Sequence, residues 1–248
     1  YTTIDDPSAH FQTATWAGND TQDTAITFDG NSNLQPDWFW NKGRGVAFGH
    51  VWMDTSRGIG NTGKVLDSSS ANAEYNIDDY FETADTNGFT IGRGSAGFNA
   101  TNDTYVTWCW KANGGTTSTN TNGSVNSTVQ ANTTEGFSIV EWASDGAPDT
   151  IGHGLSQAPD WIFMKSTVSG LHWFGYSRAL GAGKQHLLAL EYIQSNTSVL
   201  NNTDPSSTIF YTNHNDVSSG GMIAYCFHDV KGYSKFGKYT GNGSTDGT

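Results

Sequence analysis

Positive charge, cysteine and long apolar runs are all scarce in this sequence. Twelve Lys and Arg stand against 24 Asp and Glu, a formal charge of −12 over 248 residues. Such a surface repels a phosphate backbone unless its few cations cluster, so nucleic acid is not an expected partner. No window approaches the roughly 18 consecutive apolar residues of a membrane span. The first thirty residues hold neither a basic region nor an apolar core. Membrane insertion and a signal peptide are therefore not expected. The two cysteines, Cys109 and Cys226, lie in similar contexts, Trp-Cys-Trp and Tyr-Cys-Phe. Equivalent positions in two repeats fall in separate cores, which predicts buried free thiols rather than a disulfide.

Motifs that carry chemistry are also few. The seven histidines form no H-x-H or H-E-x-x-H pair, and there is no G-x-S-x-G elbow. Asp5-Asp6 and Asp78-Asp79, with Glu82 nearby, are adjacent pairs, and on a strand neighbouring side chains point to opposite faces rather than across one sugar. Gly92-Arg93-Gly94-Ser95-Ala96-Gly97 has the glycine spacing of a dinucleotide fingerprint, but Phe98 to Asp103 reads as a turn where a helix is required. Gly58 to Gly63 with Lys64 comes within one residue of a P-loop, yet Val65 stands where the cation-binding hydroxyl belongs. Gly181-Ala182-Gly183-Lys184 is a comparable turn further on, which marks a fold element. Asp29-Gly30-Asn31-Ser32-Asn33 alternates oxygen ligands but lacks the closing Glu of a calcium loop and reads as a polar turn. No catalytic residue, metal ligand or cofactor is expected.

What the chain does have is repetition and aromatic rings, the latter 13 % of residues, nine of them Trp. Trp16-Ala17-Gly18-Asn19, Trp142-Ala143-Ser144-Asp145 and Tyr239-Thr240-Gly241-Asn242 each precede an Asp seven positions after the aromatic. Pro36-Asp37-Trp38-Phe39-Trp40-Asn41-Lys42 matches Pro159-Asp160-Trp161-Ile162-Phe163-Met164-Lys165. Ser56-Arg57 matches Ser177-Arg178, Phe89 matches Phe210, and Cys109 matches Cys226. The offsets drift from 126 through 123, 121 and 121 to 117, as small loop deletions between homologous units produce.

Residues 1–115 thus form a first unit and 135–232 a second. Residues 116–134 connect them, in a stretch from Asn113 to Thr134 where 18 of 22 residues are Asn, Gly, Ser or Thr. That composition predicts a polar connection with a short edge strand at Val125 to Val129. Residues 233–248 begin a third copy. Short segments rich in aromatic and β-branched residues, such as Tyr105 to Trp110 and Phe137 to Trp142, are bounded by Gly, Asn and Asp. They predict an all-β chain of two tandem β-sandwich, jelly-roll-like domains plus the opening strand of a third repeat. One short helix is expected at Ala71 to Phe81, and Lys184 to Tyr192 fits helix or strand.

Trp38 and Trp40 share one strand face, as do Trp108 and Trp110, and recurrence in both units favours a core wall over a sugar platform. Asn99, Asn122, Asn126, Asn132 and Asn196 lie in N-x-S/T sequons, of which those in the connection are the best glycosylation candidates.

With the repeat laid out, the sequence resembles a family of bacteriophage tail-fibre-like or appendage virion proteins. The resemblance rests on Thr3-Ile4-Asp5-Asp6-Pro7-Ser8, Gln35-Pro36-Asp37-Trp38, Asp54-Thr55-Ser56-Arg57-Gly58, Trp108-Cys109-Trp110-Lys111, Gly136-Phe137-Ser138-Ile139-Val140, Gly152-His153-Gly154-Leu155 and Gly232-Tyr233-Ser234-Lys235-Phe236-Gly237. It implies a structural component of tandem β-domains in an extracellular filament or virion appendage, and it assigns no active site. A lone opening strand needs a partner, so self-association through strand exchange is expected, with copies of the chain as partners. The exchanged segment is either Tyr233 to Thr248, with Tyr233, Phe236 and Tyr239, or Tyr1 to Trp16, with Phe11 and Trp16. The alternative is a lectin-like module that binds host surface glycan; a polysaccharide-degrading enzyme is a weaker third reading.

Overall fold

In the computed structural model the described residues are 2–93, 97–188, 192–195, 199–213 and 217–245. The first unit contributes β1 (Phe11–Ala17), β2 (Thr24–Thr27), β3 (Trp38–Gly43), β4 (Val51–Asp54), β5 (Gly63–Asp67), β6 (Tyr75–Ile77), β7 (Phe81–Asp85), β8 (Gly88–Ile91) and β9 (Thr104–Trp110). From the remainder come β10 (Ser118–Asn120), β11 (Ser127–Asn132), β12 (Phe137–Ser144), β13 (Thr150–Gly152), β14 (Trp161–Ser166), β15 (Phe174–Ser177), β16 (Lys184–Leu187), β17 (Tyr192–Ser195), β18 (Ile209–Tyr211) and β19 (Gly220–Phe227). The fold is all-β, and every pairing between strands is antiparallel.

Two main sheets share one strand order. The first runs β1-β9-β3-β4-β5-β6, and the second runs β12-β19-β14-β15-β16-β17 with β10 and β11 added outside β12. The registers coincide as well. Trp38 lies opposite Trp110 and Phe39 opposite Cys109, while Trp161 lies opposite Phe227 and Ile162 opposite Cys226. Lys42 Nζ donates to the carbonyls one and four residues on, Gly43 (2.6 Å) and Val46 (3.1 Å), and Lys165 does the same with Ser166 and Ser169 (both 3.1 Å). The register departs from the sequence match at one place. Thr55 N and Arg178 N make the same bond, to the carbonyls of Asp37 and Asp160, so Arg57 lies two residues beyond the position that Arg178 fills.

Smaller sheets cover one face of each main sheet: β2-β8-β7 in the first unit and β13-β18 in the second. Beneath them are two separate cores, one with Trp16, Phe39, Phe81, Phe89 and Cys109, the other with Val140, Trp142, Ile162, Phe210 and Cys226. Both cysteines are free and buried, as their contexts predict. The other faces of the main sheets pack on each other around Trp38, Trp52, Phe137, Trp173 and Tyr225. Alternation places Trp38 in this shared core while its neighbour Phe39 enters the first unit's own core, so β3 is apolar on both faces because both are covered. Trp38 stacks on Tyr225 (4.7 Å between ring centres) and lies edge-on to Trp52 (4.9 Å), so the first unit's motif tryptophan holds the two sheets together.

One local expectation is overturned and two become specific. Ala71 to Phe81 is not helical: Glu74 is drawn to Arg57, Tyr75 enters β6, and Asp79 adopts a positive φ of 65°. Lys184 to Leu187 is strand. The connection 116–134 contains β10 and β11, and β11 pairs along β12 from Ser127–Trp142 to Asn132–Phe137, so it belongs to the second sheet.

Candidate functional site

The repeated Pro-Asp block is a clamp on the chain that leaves each unit. Proline opens the strand where it need not donate, and the aspartate behind it faces the end of β9 or β19. Asp37 accepts from Ala112 N (2.7 Å), Gly114 N (2.9 Å), Gly115 N (2.8 Å) and Thr55 Oγ1 (2.8 Å). Asp160 accepts from Asp229 N (2.7 Å) and pairs with Arg178 Nε (3.1 Å).

Beyond Asp229 the third copy of the opening motif begins. Its first part docks on the chain's own second unit. Asp229 accepts from Phe236 N (2.7 Å) and pairs with Lys235, and the Phe236 ring lies 5.7 Å from Phe227 and 6.4 Å from Trp161. Tyr233 Oη donates to Glu135 Oε1 (3.1 Å). Residues 237–245 join no strand. Tyr239 is 91 % exposed, whereas Trp16 and Trp142, at the same place in the first two copies, are 9 % and 5 % exposed. Of the five assembly candidates, then, Trp16 lies in the first core, Phe11 packs on Trp110 (4.7 Å), Tyr233 and Phe236 cover the second unit, and Tyr239 alone projects into solvent. The segment Phe11–Ala17 is β1 of its own sheet, so the N-terminal choice of exchanged strand does not match this placement.

Where the main sheets diverge, an aromatic cleft of about 390 Å³ opens between Phe11, Trp40, Trp110, Phe163, Phe227 and Phe236. A smaller hollow of about 150 Å³ lies between Trp40, Trp108 and Trp110, all half-buried. The cleft's carboxyl group is Glu135, 2 % exposed, beside Tyr233 and Ser234. Asn132 Nδ2 donates to its Oε2 (3.1 Å), and His10 Nδ1 lies 3.7 Å away. Burial pushes the Glu135 carboxyl well above its usual range and, with Lys111 nearby, pulls His10 down, so both shifts favour the neutral forms. The wall suits the flat apolar face of a ligand more than a charged one.

A second polar cluster joins the units. Arg57 Nε meets Asp54 (2.6 Å), Nη1 meets Glu74 (3.0 Å), and Nη2 meets Tyr225 Oη (3.1 Å), which donates to Asp54 Oδ2 (2.7 Å). Close to it burial, with Asp54 adding repulsion, pushes Glu141 up to about 7. Arg57 answers both Asp54 and Glu74, so these carboxylates are tied into the fold. The Asp78-Asp79 pair adjoins Glu82, which burial, with Asp23 and Asp79, pushes up to about 7.

The remaining motifs are turns or lie apart. Gly58 to Gly63 and Gly181 to Gly183 lead into β5 and β16, with Lys64 bridged to Glu74 (3.2 Å). Ser32 of the Asp29 to Asn33 turn donates to Asp6 and accepts nothing from its own loop, while Asp29, Asn31 and Asn33 are exposed. Gly94 to Ala96 of the fingerprint-like run, and the Asn196 sequon, lie outside the described residues. Among the described residues no group of three or more His, Cys, Asp or Glu is placed to hold a metal ion. Asn99 is buried, its amide donating to the Gly92 carbonyl (2.9 Å), and Asn132 is engaged at Glu135, whereas Asn122 and Asn126 are exposed. His10 and Glu135 were not singled out by any motif, and Arg57 only as a repeat match, since the partners that give each its role include residues far along the chain.

The chain belongs to the family described as Domain of unknown function (DUF7483), whose model matches residues 6–248. No curated protein and no solved structure matches it at a significant level.

Proposed function

We propose that this chain is a non-enzymatic structural protein that self-associates, through the segment around Tyr239, into an extracellular fibre or a phage-tail-like filament. The observation that supports the reading is the exposed Tyr239 in the third copy of a motif whose first two aromatics are buried. Covering a ring of that size regains about 2 kcal/mol, which a neighbouring copy supplies. Donor and acceptor are different surfaces, so the contact is heterologous and propagates unless rotation closes a ring. Sedimentation velocity and electron microscopy of the whole chain and of Tyr239→Ala test it. Concentration-dependent association lost in the variant is expected; a wild-type chain that stays monomeric, or a variant that assembles equally, overturns the reading.

The half-buried Trp40, Trp108 and Trp110 around one hollow favour a second reading, a lectin-like module for surface glycan. It predicts glycan-array binding that Trp108→Ala abolishes.

A further inference from the structure

The flank of the first unit beyond β1 is open where the matching flank of the second is sealed. In the second unit residues 123–132 do the sealing: β11 pairs along β12, Val125 bridges to Ile151 of β13, and Ser127 Oγ donates to the Gly152 carbonyl (2.7 Å). Gly123 passes so near that a Cβ there would strike the Thr150 carbonyl oxygen. In the first unit β1 is outermost among the described residues, and a hollow of about 300 Å³ separates it from β2, lined by Thr13, Ala14, Thr15, Ile26, Thr27 and Asp29.

That edge is ready to pair. The His10 carbonyl accepts from Lys111 N (2.9 Å) and Gly18 N donates to Asp103 (2.8 Å), so even-numbered residues face β9. By alternation Phe11, Thr13, Thr15 and Ala17 turn their N–H and C=O groups outward. β1 has seven residues with no charge, proline or bulge, whereas β7, at the edge of the small sheet, has Glu82, Asp85 and a bulge after Phe81. An edge lacking those devices is a template for a further strand.

Placement, composition and charge identify the occupant. The chain leaves β19 as it leaves β9, with Asp229 N on Asp160 where Ala112 N is on Asp37, both at 2.7 Å, and it is the segment leaving β9 that seals β12. Eight of the nine residues 240–248 are Asn, Gly, Ser or Thr, like the connection. Residues 231–248 hold three Lys and one Asp, a net +2, while the other 230 residues hold 9 cations and 23 acids, a net −14. Residues 1–41, which include β1 and β2, hold six Asp and no Lys or Arg.

We propose that β1 accepts the terminal segment of a second copy as an antiparallel strand, with Tyr239 entering the hollow opposite Ala14, as Val129 lies opposite Val140 in the second unit. This rests on the self-association reading and adds the acceptor to it.

Sedimentation velocity of wild type, Tyr239→Ala, Thr13→Pro and Thr15→Lys, at low and high salt, tests the pairing. Both threonines are exposed, and the outward N–H of Thr13 makes no bond to β9, so proline there is tolerable. Each substitution and added salt should weaken association by about tenfold or more. A chain carrying Thr13→Cys and Thr240→Cys should yield a disulfide-linked ladder on mild oxidation, since facing residues of a hydrogen-bonded pair lie about 5.5 Å apart at Cα. The ladder and Thr15→Lys decide the matter if Thr13→Pro fails to fold. Loss of association in Tyr239→Ala alone, with normal association of the β1 variants and no ladder, removes β1 as acceptor and leaves self-association standing. Indifference to Tyr239→Ala removes both.

Discussion

Removing the Asp37 carboxylate should cost far more than removing its counterpart Asp160, although the two occupy the same place in the two units. Asp37 is fully buried and accepts four hydrogen bonds, three of them from backbone N–H groups of Ala112, Gly114 and Gly115. Asp37→Ala strands the N–H groups of Ala112 and Gly114, while Gly115 N keeps its bond to Gln130 Oε1 (2.9 Å). A hydrogen bond to a charged group is worth about 1.5–3 kcal/mol, and the bonds share one carboxylate and are not additive, so a loss of about 4 kcal/mol follows. Asp160 accepts one backbone N–H, from Asp229, and pairs with Arg178, whose side chain is 48 % exposed. Water can replace the arginine, so Asp160→Ala should cost about 1.5 kcal/mol. Asp37→Asn should lose nearly as much as Asp37→Ala, because the amide nitrogen brings hydrogens towards hydrogens. Urea unfolding of the variants measures the free energies, with the slope checked for constancy. Equal losses at the two positions, or a loss at Asp37 below about 1 kcal/mol, would show that the clamp is not what secures the outgoing chain.

Two further outcomes are expected. Burial raises both thiols, so Cys109 and Cys226 should be unreactive towards a thiol reagent in the native chain and both titrate on unfolding; a fast-reacting native thiol contradicts the separate cores. Glu135, raised above its ordinary 4.5 by burial, stays protonated after the unfolded chain has ionised, so its stabilisation is present below pH 4.5 and is lost as pH rises towards the folded value. The unfolding free energy of Glu135→Gln should therefore gain on wild type by up to about 1.4 kcal/mol per pH unit above that point, and a flat difference would mean an ionised Glu135.

The repeat and the strands were legible because aromatic positions recur at drifting offsets and because a period of two assigns faces. Trp38, Phe39, Cys109 and their counterparts occupy matching places in the two sheets for that reason. The face-to-face packing was written more faintly. Trp38-Phe39-Trp40 and Trp161-Ile162-Phe163 are apolar on both faces, which marks strands covered twice, but nothing in a linear pattern says that each unit covers the other. Residues 118–132 read by composition as a polar connection with one short edge strand at Val125 to Val129, and they hold the longer β11 and also β10 because the edge of β12 offers donors and acceptors, a tertiary preference that overrides propensity. The polar sites were the least visible. Glu135 meets His10 across 125 positions and Arg57 meets Tyr225 across 168, so each pairing exists only once the layers have closed.

The asymmetry between the units gives the molecule a direction. Each Pro-Asp aspartate grips the segment that leaves its unit, and within the chain the segment leaving the first unit goes on to cover the outer strand of the second. Among the described residues a segment follows the second unit and none covers β1, so the pairing proposed above joins a strand from one unit to an edge of the other. β6 and β10, the other main-sheet edges with described side chains, have three residues each and make poor templates beside the seven of β1. Matching ends of this kind add copies without limit when the rotation between them fails to close, which makes a filament rather than a dimer the expected product.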